Sequence, residues 1–200
     1  MADTLQNNNN VSIQLLLGGH SFSKQIAARL TELDAAEHIT IYVPTSKSVA
    51  VPAEQYSEAS AAEHLAVLGS APSVEECIVV DCATEGVVVL MALERSLHDE
   101  IEACYGGKVE YRSPMFMDDA VSDGVTLRLV RDVLYIRLYA GGRMLLAEAV
   151  AAKGDADIIY YLASIDEVYA IFNNARAHVR GDVKRLRPVA KRLFKHISCE

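Results

Sequence analysis

The sequence contains no tryptophan, and aromatic residues make up only 6% of its 200 positions. It has no apolar run near the roughly 18 residues that a membrane-spanning helix needs, so we expect no integral membrane segment. Phosphate-binding Walker loops, dinucleotide fingerprints, serine nucleophile elbows and zinc-type histidine and cysteine spacings are also absent. The enzyme classes that these motifs mark are therefore not indicated.

Cysteine is scarce, with four residues at positions 77, 82, 104 and 199. A disulfide scaffold is normally short and rich in cysteine, which this chain is not. Cys77 and Cys82 lie five residues apart in a predicted extended segment, where odd spacing sends side chains to opposite faces. The opening residues, MADTLQNNNN, have neither the basic nor the apolar part of a signal peptide. We therefore predict a cytoplasmic protein with reduced cysteines.

Composition indicates a folded globular protein: 51% of residues are hydrophobic, 23% are charged and the mean hydropathy is +0.14. The length is typical of one large domain or two small ones. The formal net charge of −8 argues against nucleic-acid binding by the surface as a whole.

In the first half, residues 1–10 are interpreted as a disordered polar lead-in. Short strands are predicted at 11–17, 39–43, 49–51, 78–81, 87–93 and 109–112 from their β-branched and apolar residues. Residues 21–28 form either a second strand or the start of a short helix, and periodicity does not decide. Helices are predicted from Pro52 to Gly69 and over 92–105, where apolar side chains recur every three or four positions.

The loop 113–124, rich in Pro, Gly, Ser and Asp, predicts a boundary between two units, 11–117 and 118–200. Beyond it we predict strands at 125–131, 133–139 and 143–150, a helix over 155–172, a strand over 175–180 and a last helix from about 186 to 197. This second half is a β-β-β-α-β-α arrangement. The pattern I-x-L-x-x-G-G occurs at Ile13 and again at Ile136, which indicates either related units or two similar hairpins.

Five stretches carry a family resemblance: VSIQLLLGGHSFS, ITIYVPTSKSVAVPAEQY, DVLYIRLYAGGRMLLAEAV, DIIYYLASIDEV and HVRGDVKRL. They resemble an uncharacterised bacterial family with a domain of unknown function, family 3822. That family is similar to the actin-like cytoplasmic proteins of type II secretion and type IV pilus assembly, as a degenerate relative of the actin-like ATPase superfamily. The resemblance covers most of residues 11–197. It implies an α/β (α+β) fold of two actin-like, or ribonuclease-H-like, βββαβα-type lobes with mixed sheets and helices packed on them.

The resemblance also implies where a nucleotide would lie. Actin-like ATPases hold phosphate with one hairpin turn in each half, carrying Asp, Gly and Ser or Thr. The corresponding turns are 17–21, which has no Asp, and 130–133, which has an Asp but no Gly or hydroxyl. The turn on the adenosine side is 180–182, with a single glycine. The nucleotide-binding candidates are thus Gly18, Gly19, Ser21, Gly181 and Asp182. Because phosphoryl transfer depends on positioned metal and charge, these incomplete turns argue against hydrolysis.

Other acidic clusters are weaker candidates. Asp118, Asp119 and Asp123 lack the spacing of a calcium loop and are interpreted as a solvated linker. His98 and Glu102 share one face of a predicted helix, but no third metal ligand is evident, so we interpret them as a surface pair.

Asp81 and Glu148 are both predicted in strands, and paired carboxylates on adjacent strands serve two-metal nucleases. Such sites need at least three converging acids, so we interpret these two as a strand-end and a solvent-facing carboxylate. No catalytic residue and no metal site is predicted.

Charge is distributed unevenly along the chain. Residues 175–200 carry a net charge of +6, which leaves −14 for the rest. The basic-surface candidates are Lys184, Arg185, Lys191, Arg192 and Lys195, on a predicted amphipathic helix. Such a helix binds an anionic membrane surface, nucleic acid or an acidic partner, or it only docks its apolar stripe in the core, which we favour.

The leading hypothesis is a non-catalytic actin-like protein that binds or scaffolds, with no cofactor predicted. One alternative is a nucleotide-binding ATPase or kinase-like enzyme that uses ATP and magnesium. Another is a nucleic-acid or membrane-surface binder that uses the basic C-terminal helix. We expect an unidentified protein partner and leave a homo-oligomer open. Nucleic acid is the least favoured partner, because the chain offers almost no aromatic residue near the basic helix for base stacking.

Overall fold

The computed structural model of the chain describes residues 10–17, 21–67, 69–82, 84, 86–117 and 121–199. These residues form a three-stranded parallel sheet and an eight-stranded mixed sheet, with helices packed against both. No helix in this part of the chain is long and apolar enough to span a bilayer.

The first half alternates short strands and helices. Its elements, in chain order, are β1 (Asn10–Gln14), α1 (Phe22–Ile26), α2 (Leu30–Ala35), β2 (His38–Tyr42), β3 (Ser48–Pro52), α3 (Ala61–Val67), β4 (Glu76–Asp81), β5 (Val87–Glu94), α4 (Arg95–Tyr105) and β6 (Val109–Arg112). Strands β1, β2 and β6 run parallel in that order and form the small sheet. Strands β3, β5 and β4 pair antiparallel and belong to the large sheet.

The second half is a three-stranded meander followed by two helix-strand units. Its elements are β7 (Gly124–Val130), β8 (Val133–Ala140), β9 (Arg143–Ala151), α5 (Asp155–Tyr169), α6 (Ile171–Asn174), β10 (Arg176–Gly181), α7 (Val183–Leu193) and β11 (His196–Cys199). The full order of the large sheet is β11-β10-β7-β8-β9-β3-β5-β4. Strand β10 pairs parallel with β7, and β11 pairs parallel with β10.

Alternation along β8 divides its side chains between two cores. Leu134 and Ile136 face a cluster that also takes in the apolar sides of α5 and α7. Val133 and Tyr135 face the opposite side and pack against Met115 of a short 3-10 turn. A strand that is buried on both faces is mostly apolar, and Arg137 is the one charged residue of β8.

The two halves meet along β9. Strand β9 pairs with β3 through one residue pair only, Val49 with Glu148.

The buried Arg137 side chain lies between two aromatic rings, 5.3 Å from the Phe116 centroid and 5.7 Å from that of Tyr139. A guanidinium over an aromatic ring is stabilised most where water is excluded.

The structure resolves the open choice at residues 21–28 in favour of a helix, α1, and it places Asn10 in β1 rather than in the lead-in. The remaining lead-in, residues 1–9, lies outside the described part. The described residues of the first half therefore begin with a strand, two helices and a second strand, and not with the three-strand meander of the second half.

Two helix predictions need correction. The segment after Pro52 is not one helix: two 3-10 turns precede α3, and Ser57 and Ser60 form a capping box between them. The last helix ends at Leu193, and Ile197 lies in the edge strand β11. Ile197 continues the apolar spacing of the helix, so periodicity alone extends the helix too far. The start of α7 is also earlier than predicted, because Asp182 caps it by accepting a hydrogen bond from the Arg185 amide at 3.2 Å.

Candidate functional site

A strained two-residue turn joins β7 and β8. Val130 and Val133 close it, and Arg131 adopts a left-handed conformation with φ of 56°. A non-glycine residue in this region costs about 1–3 kcal/mol and persists only where its surroundings hold it. Asp132 follows, with its side chain 62% exposed.

The Arg185 side chain holds this turn in place. Its Nη1 donates to the Arg131 carbonyl at 3.2 Å and to the Asp132 carboxylate at 3.0 Å. Its Nη2 donates to the Ala152 carbonyl at 2.7 Å. One guanidinium therefore joins the turn to the end of β9 and neutralises the carboxylate of Asp132. The Arg185 side chain is only 25% exposed. We therefore expect its ion pair with Asp132 to stabilise the fold more than a fully exposed pair would.

Gly181 and Asp182 lie beside the same turn. Gly181 has φ of +73°, and a Cβ there would lie 2.2 Å from the Leu129 carbonyl oxygen. The Asp182 amide donates to that oxygen at 2.8 Å, while its side chain caps α7. The glycine is thus required by the close approach of β10 to β7, whether or not a ligand is bound.

The structure separates the five basic candidates. Arg185 points to the β7–β8 turn, whereas Lys184, Lys191, Arg192 and Lys195 are exposed on α7 and just after it. The opposite side of α7 is buried through Leu186, Val189 and Ala190.

In the first half, Gly18 and Gly19 lie outside the described residues, and Ser21 is the N-cap residue of α1 without a side-chain capping bond. The first amides of α1 are already bonded to the carboxylate of Glu100 on α4. The Phe22 amide donates to it at 2.6 Å and the Ser23 amide at 2.9 Å, and the Ser23 hydroxyl donates to it as well. The hydrogen bond from the Ser23 side chain, followed by those from the backbone, lowers the pKa of the Glu100 carboxyl below its ordinary value. Backbone amides at a helix start are the donors that bind phosphate elsewhere.

A second aspartate–arginine pair lies at the end of β4. Asp81, 3% exposed, accepts from Arg112 Nη1 at 3.2 Å and from the Ser113 amide at 2.8 Å. A polar cavity of about 200 Å³ adjoins it. Glu148 lies on β9, which is separated from β4 by the two strands β3 and β5, so the two carboxylates are not on adjacent strands. Burial raises the pKa of the Glu148 carboxyl.

The other acidic candidates that the structure describes also have structural partners. The Asp123 carboxylate accepts from the Gly141 amide at 2.7 Å, whereas Asp118 and Asp119 lie outside the described residues. The Nε2 atom of His98 lies 3.9 Å from the Oε1 atom of Glu102. Within the described ranges, no group of three or more histidine, cysteine or acidic side chains is placed to hold a metal ion.

The described residues fit magnesium and nucleotide poorly. In the second half, each predicted nucleotide contact already has a partner within the protein. The Asp132 carboxylate is bonded to Arg185, and the Asp182 side chain caps α7. Gly181 packs against Leu129. In the first half, the amides beside Ser21 are bonded to Glu100. A phosphate or a metal would have to displace each of these bonds.

Sequence reasoning missed Glu100 and Arg112. Neither belongs to a motif, and each is far along the chain from the group it binds, 78 residues for Glu100 and Phe22 and 31 for Arg112 and Asp81. Arg185 was selected, but as a surface cation. The sequence holds no signal for its role, because Arg185 and the exposed Arg187 both adjoin the buried Leu186.

Comparison with solved structures identifies the fold. A Bacteroides thetaiotaomicron protein with an actin-like ATPase fold and unknown function matches 100% of this chain and 94% of its own, with a TM-score of 0.77 at 15% identity. The cytoplasmic domain of EpsL, an inner membrane component of the type II secretion system of Vibrio cholerae, matches 88% of this chain and 70% of its own, with a TM-score of 0.45 at 12% identity. The filament of AlfA from the B. subtilis plasmid pLS32 matches 94% and 64%, with a TM-score of 0.41 at 10% identity.

Neither protein-family models nor curated proteins give a match to this sequence. The first structural likeness confirms the predicted fold class, a mixed α/β protein with an actin-like architecture.

Proposed function

We propose that this chain is a non-catalytic binding or scaffolding protein of the cytoplasm, built on an actin-like fold that does not hydrolyse ATP. We place it in the bacterial family 3822 and divide it into two lobes, 11–117 and 118–200. The observation that carries the proposal is the guanidinium of Arg185, which bonds the β7–β8 turn and its only carboxylate.

The physical argument concerns charge. Phosphoryl transfer requires a divalent cation and positioned donors around the phosphate oxygens. At this turn the Nη1 atom of Arg185, a permanent cation, lies 3.0 Å from the Asp132 carboxylate, whose oxygens would otherwise be free to bind a metal. Adding Mg²⁺ next to this guanidinium would place two cations side by side. The turn is therefore built to be held by the chain itself.

The first half supports the same proposal with the opposite charge. The carboxylate of Glu100 accepts hydrogen bonds from the amides of Phe22 and Ser23. A phosphate approaching those amides would meet this fixed negative charge. Each half thus satisfies internally the kind of group that a nucleotide would contact.

A protein that keeps this fold without catalysis contributes surfaces and a defined arrangement of two lobes, so we propose a protein partner, with self-association as one form of it. The competing function is nucleotide binding through Gly18, Gly19, Ser21, Gly181 and Asp182. The two functions differ in two measurable properties, which are the binding and the turnover of Mg-ATP.

The test is phosphate release by the purified full chain in millimolar Mg-ATP, with Asp132→Asn as the matched variant. We expect the same background rate for both proteins and no rise in melting temperature with nucleotide. Phosphate release by the wild type that saturates with ATP and is lost in Asp132→Asn would overturn the proposal.

A further inference from the structure

One side of α7 carries cations that the protein does not neutralise. We call this side, with Lys195 just beyond the helix, the basic face; its members are exposed and comprise Lys184, Arg187, Lys191, Arg192 and Lys195. Within the described part of the chain, none of the five has a carboxylate partner, whereas Arg185 on the same helix does. Five like charges along about 16 Å of helix repel one another, so this face is not explained by folding stability.

The other side of α7 is fully used by the core. Leu186, Val189 and Ala190 are at most 1% exposed, and Phe194, the aromatic residue nearest the basic face, is 5% exposed. The helix therefore has no apolar side left to insert into a bilayer and no free ring on which a base could stack. What the basic face offers is charge alone.

A free strand edge adjoins the basic face. Strand β11 begins one residue after Lys195 and is the end strand of the large sheet. It pairs with β10 on one side, and among the described residues no strand pairs with its other side. Its residues Ile197, Ser198 and Cys199 are only half-buried. An edge strand of this kind has unpaired backbone groups that can accept an extended peptide as a further strand.

The negative charge of the rest of the molecule favours a short anionic partner over an extended one. Residues 175–200 carry +6 and the remaining residues carry −14. A nucleic acid or an anionic bilayer extends well beyond the screening length of about 8 Å at physiological salt, so it would meet the acidic body as well. A short acidic segment would meet mainly the basic face.

From these observations we infer that the basic face and the free edge of β11 together bind an acidic, extended segment of a partner protein. The segment adds a strand to β11 through backbone hydrogen bonds, and its carboxylates meet the cations of α7. This inference rests on the proposed binding function and names the class of partner. It does not depend on the absence of ATP turnover, so the two proposals fail in different experiments.

The test is fluorescence-anisotropy binding of a labelled peptide of alternating glutamate and valine to the full-length chain. We expect saturable binding that weakens about tenfold or more in Lys191→Glu/Arg192→Glu, because two attractive pairs become repulsive. The matched control is Arg143→Glu/Lys153→Glu, which makes the same change in net charge at exposed residues outside α7 and should bind like the wild type. The melting temperature of each variant checks that it is folded.

A second probe separates strand addition from simple charge attraction and uses only the wild-type protein. The same peptide with alternate backbone amides N-methylated keeps its charge but loses strand hydrogen bonds, so we expect it to bind about tenfold more weakly or not at all. Equal binding of the methylated peptide would overturn the inference. So would equal weakening by both double variants, no binding of either peptide, or preferential binding of single-stranded DNA or anionic lipid vesicles by the basic face.

Discussion

The two halves of the molecule satisfy polar groups beside their predicted nucleotide-binding turns with side chains of opposite charge. In the first half a carboxylate, Glu100, bonds the backbone amides at the start of α1. In the second half a guanidinium, Arg185, bonds the carboxylate and a carbonyl of the β7–β8 turn. Backbone amides attract an anion, and in the first half the Glu100 carboxylate is that anion. A carboxylate attracts a cation, and in the second half the Arg185 guanidinium is that cation.

The comparison teaches how an actin-like fold can keep its turns without a nucleotide. A ligand that stabilises the folded state adds to stability only while it is bound. Internal partners give that stabilisation permanently, but they also compete with any ligand for the same groups. If the partners in the two halves are structural bonds, removing them lowers the stability of the chain.

The largest effect is expected at Gly181. Replacement by alanine places a Cβ 2.2 Å from the Leu129 carbonyl oxygen, and we expect a loss of about 3 kcal/mol or more in the free energy of unfolding. Gly142→Ala is the matched control, since it has the same φ of +73° and open space around it, and should cost about 1 kcal/mol. Urea denaturation measures both. Equal costs would mean that the close approach of β10 to β7 does not explain Gly181.

The next effect compares the two aspartate–arginine pairs. Asp81→Asn breaks a pair whose carboxylate is 3% exposed, and we expect a loss of about 2–4 kcal/mol. Asp132→Asn breaks a pair whose carboxylate is 62% exposed, and we expect at most about 1 kcal/mol. Thermal and urea unfolding of the two variants tests the ranking. A reversed order would show that the exposed turn, rather than the buried strand end, is the principal electrostatic contact.

A smaller effect, with a defined pH dependence, is expected at Glu100. Because its pKa is lowered in the folded state, its contribution is complete above the ordinary glutamate value of 4.5 and is lost as the pH falls through the lowered value. Glu100→Gln should therefore cost about 1 kcal/mol at pH 7, allowing for solvent screening, and less at pH 3, which lies below the ordinary value. Urea unfolding at both pH values is the measurement, with the exposed neighbour Asp99→Asn as control. A deficit that stays constant down to pH 3 would contradict the assignment.

Sequence patterns predicted the second half better than the first, for a physical reason. The strands β7, β8 and β9 have long runs of apolar side chains bounded by short turns, so both their existence and their limits can be deduced. The short segments of the first half carry less information: residues 21–28 fit a strand or a helix equally well by pattern, and the structure forms the helix α1 there.

The candidate site could be predicted only in part. The turn at Asp132 and the positions Gly181 and Asp182 were identified from the resemblance, and the structure brings them together around Leu129 and Arg185. Glu100 could not be found, because its bond to α1 depends on how α4 packs and not on any local pattern. The role of Arg185 was missed because a helical basic residue is by default a surface charge, and only the distance to Asp132 separates it from Arg187.

Whether Arg185 takes the place of a ligand is tested most directly by calorimetric titration with Mg-ATP of the wild-type chain, Asp132→Asn, Arg185→Ala and the exposed control Arg187→Ala. If Arg185 holds the turn in place of a ligand, the wild type and the control will give no saturable heat at millimolar nucleotide. Saturable binding to the wild type that is weakened by Asp132→Asn would show that the turn grips a nucleotide despite its internal partner, and would contradict the account.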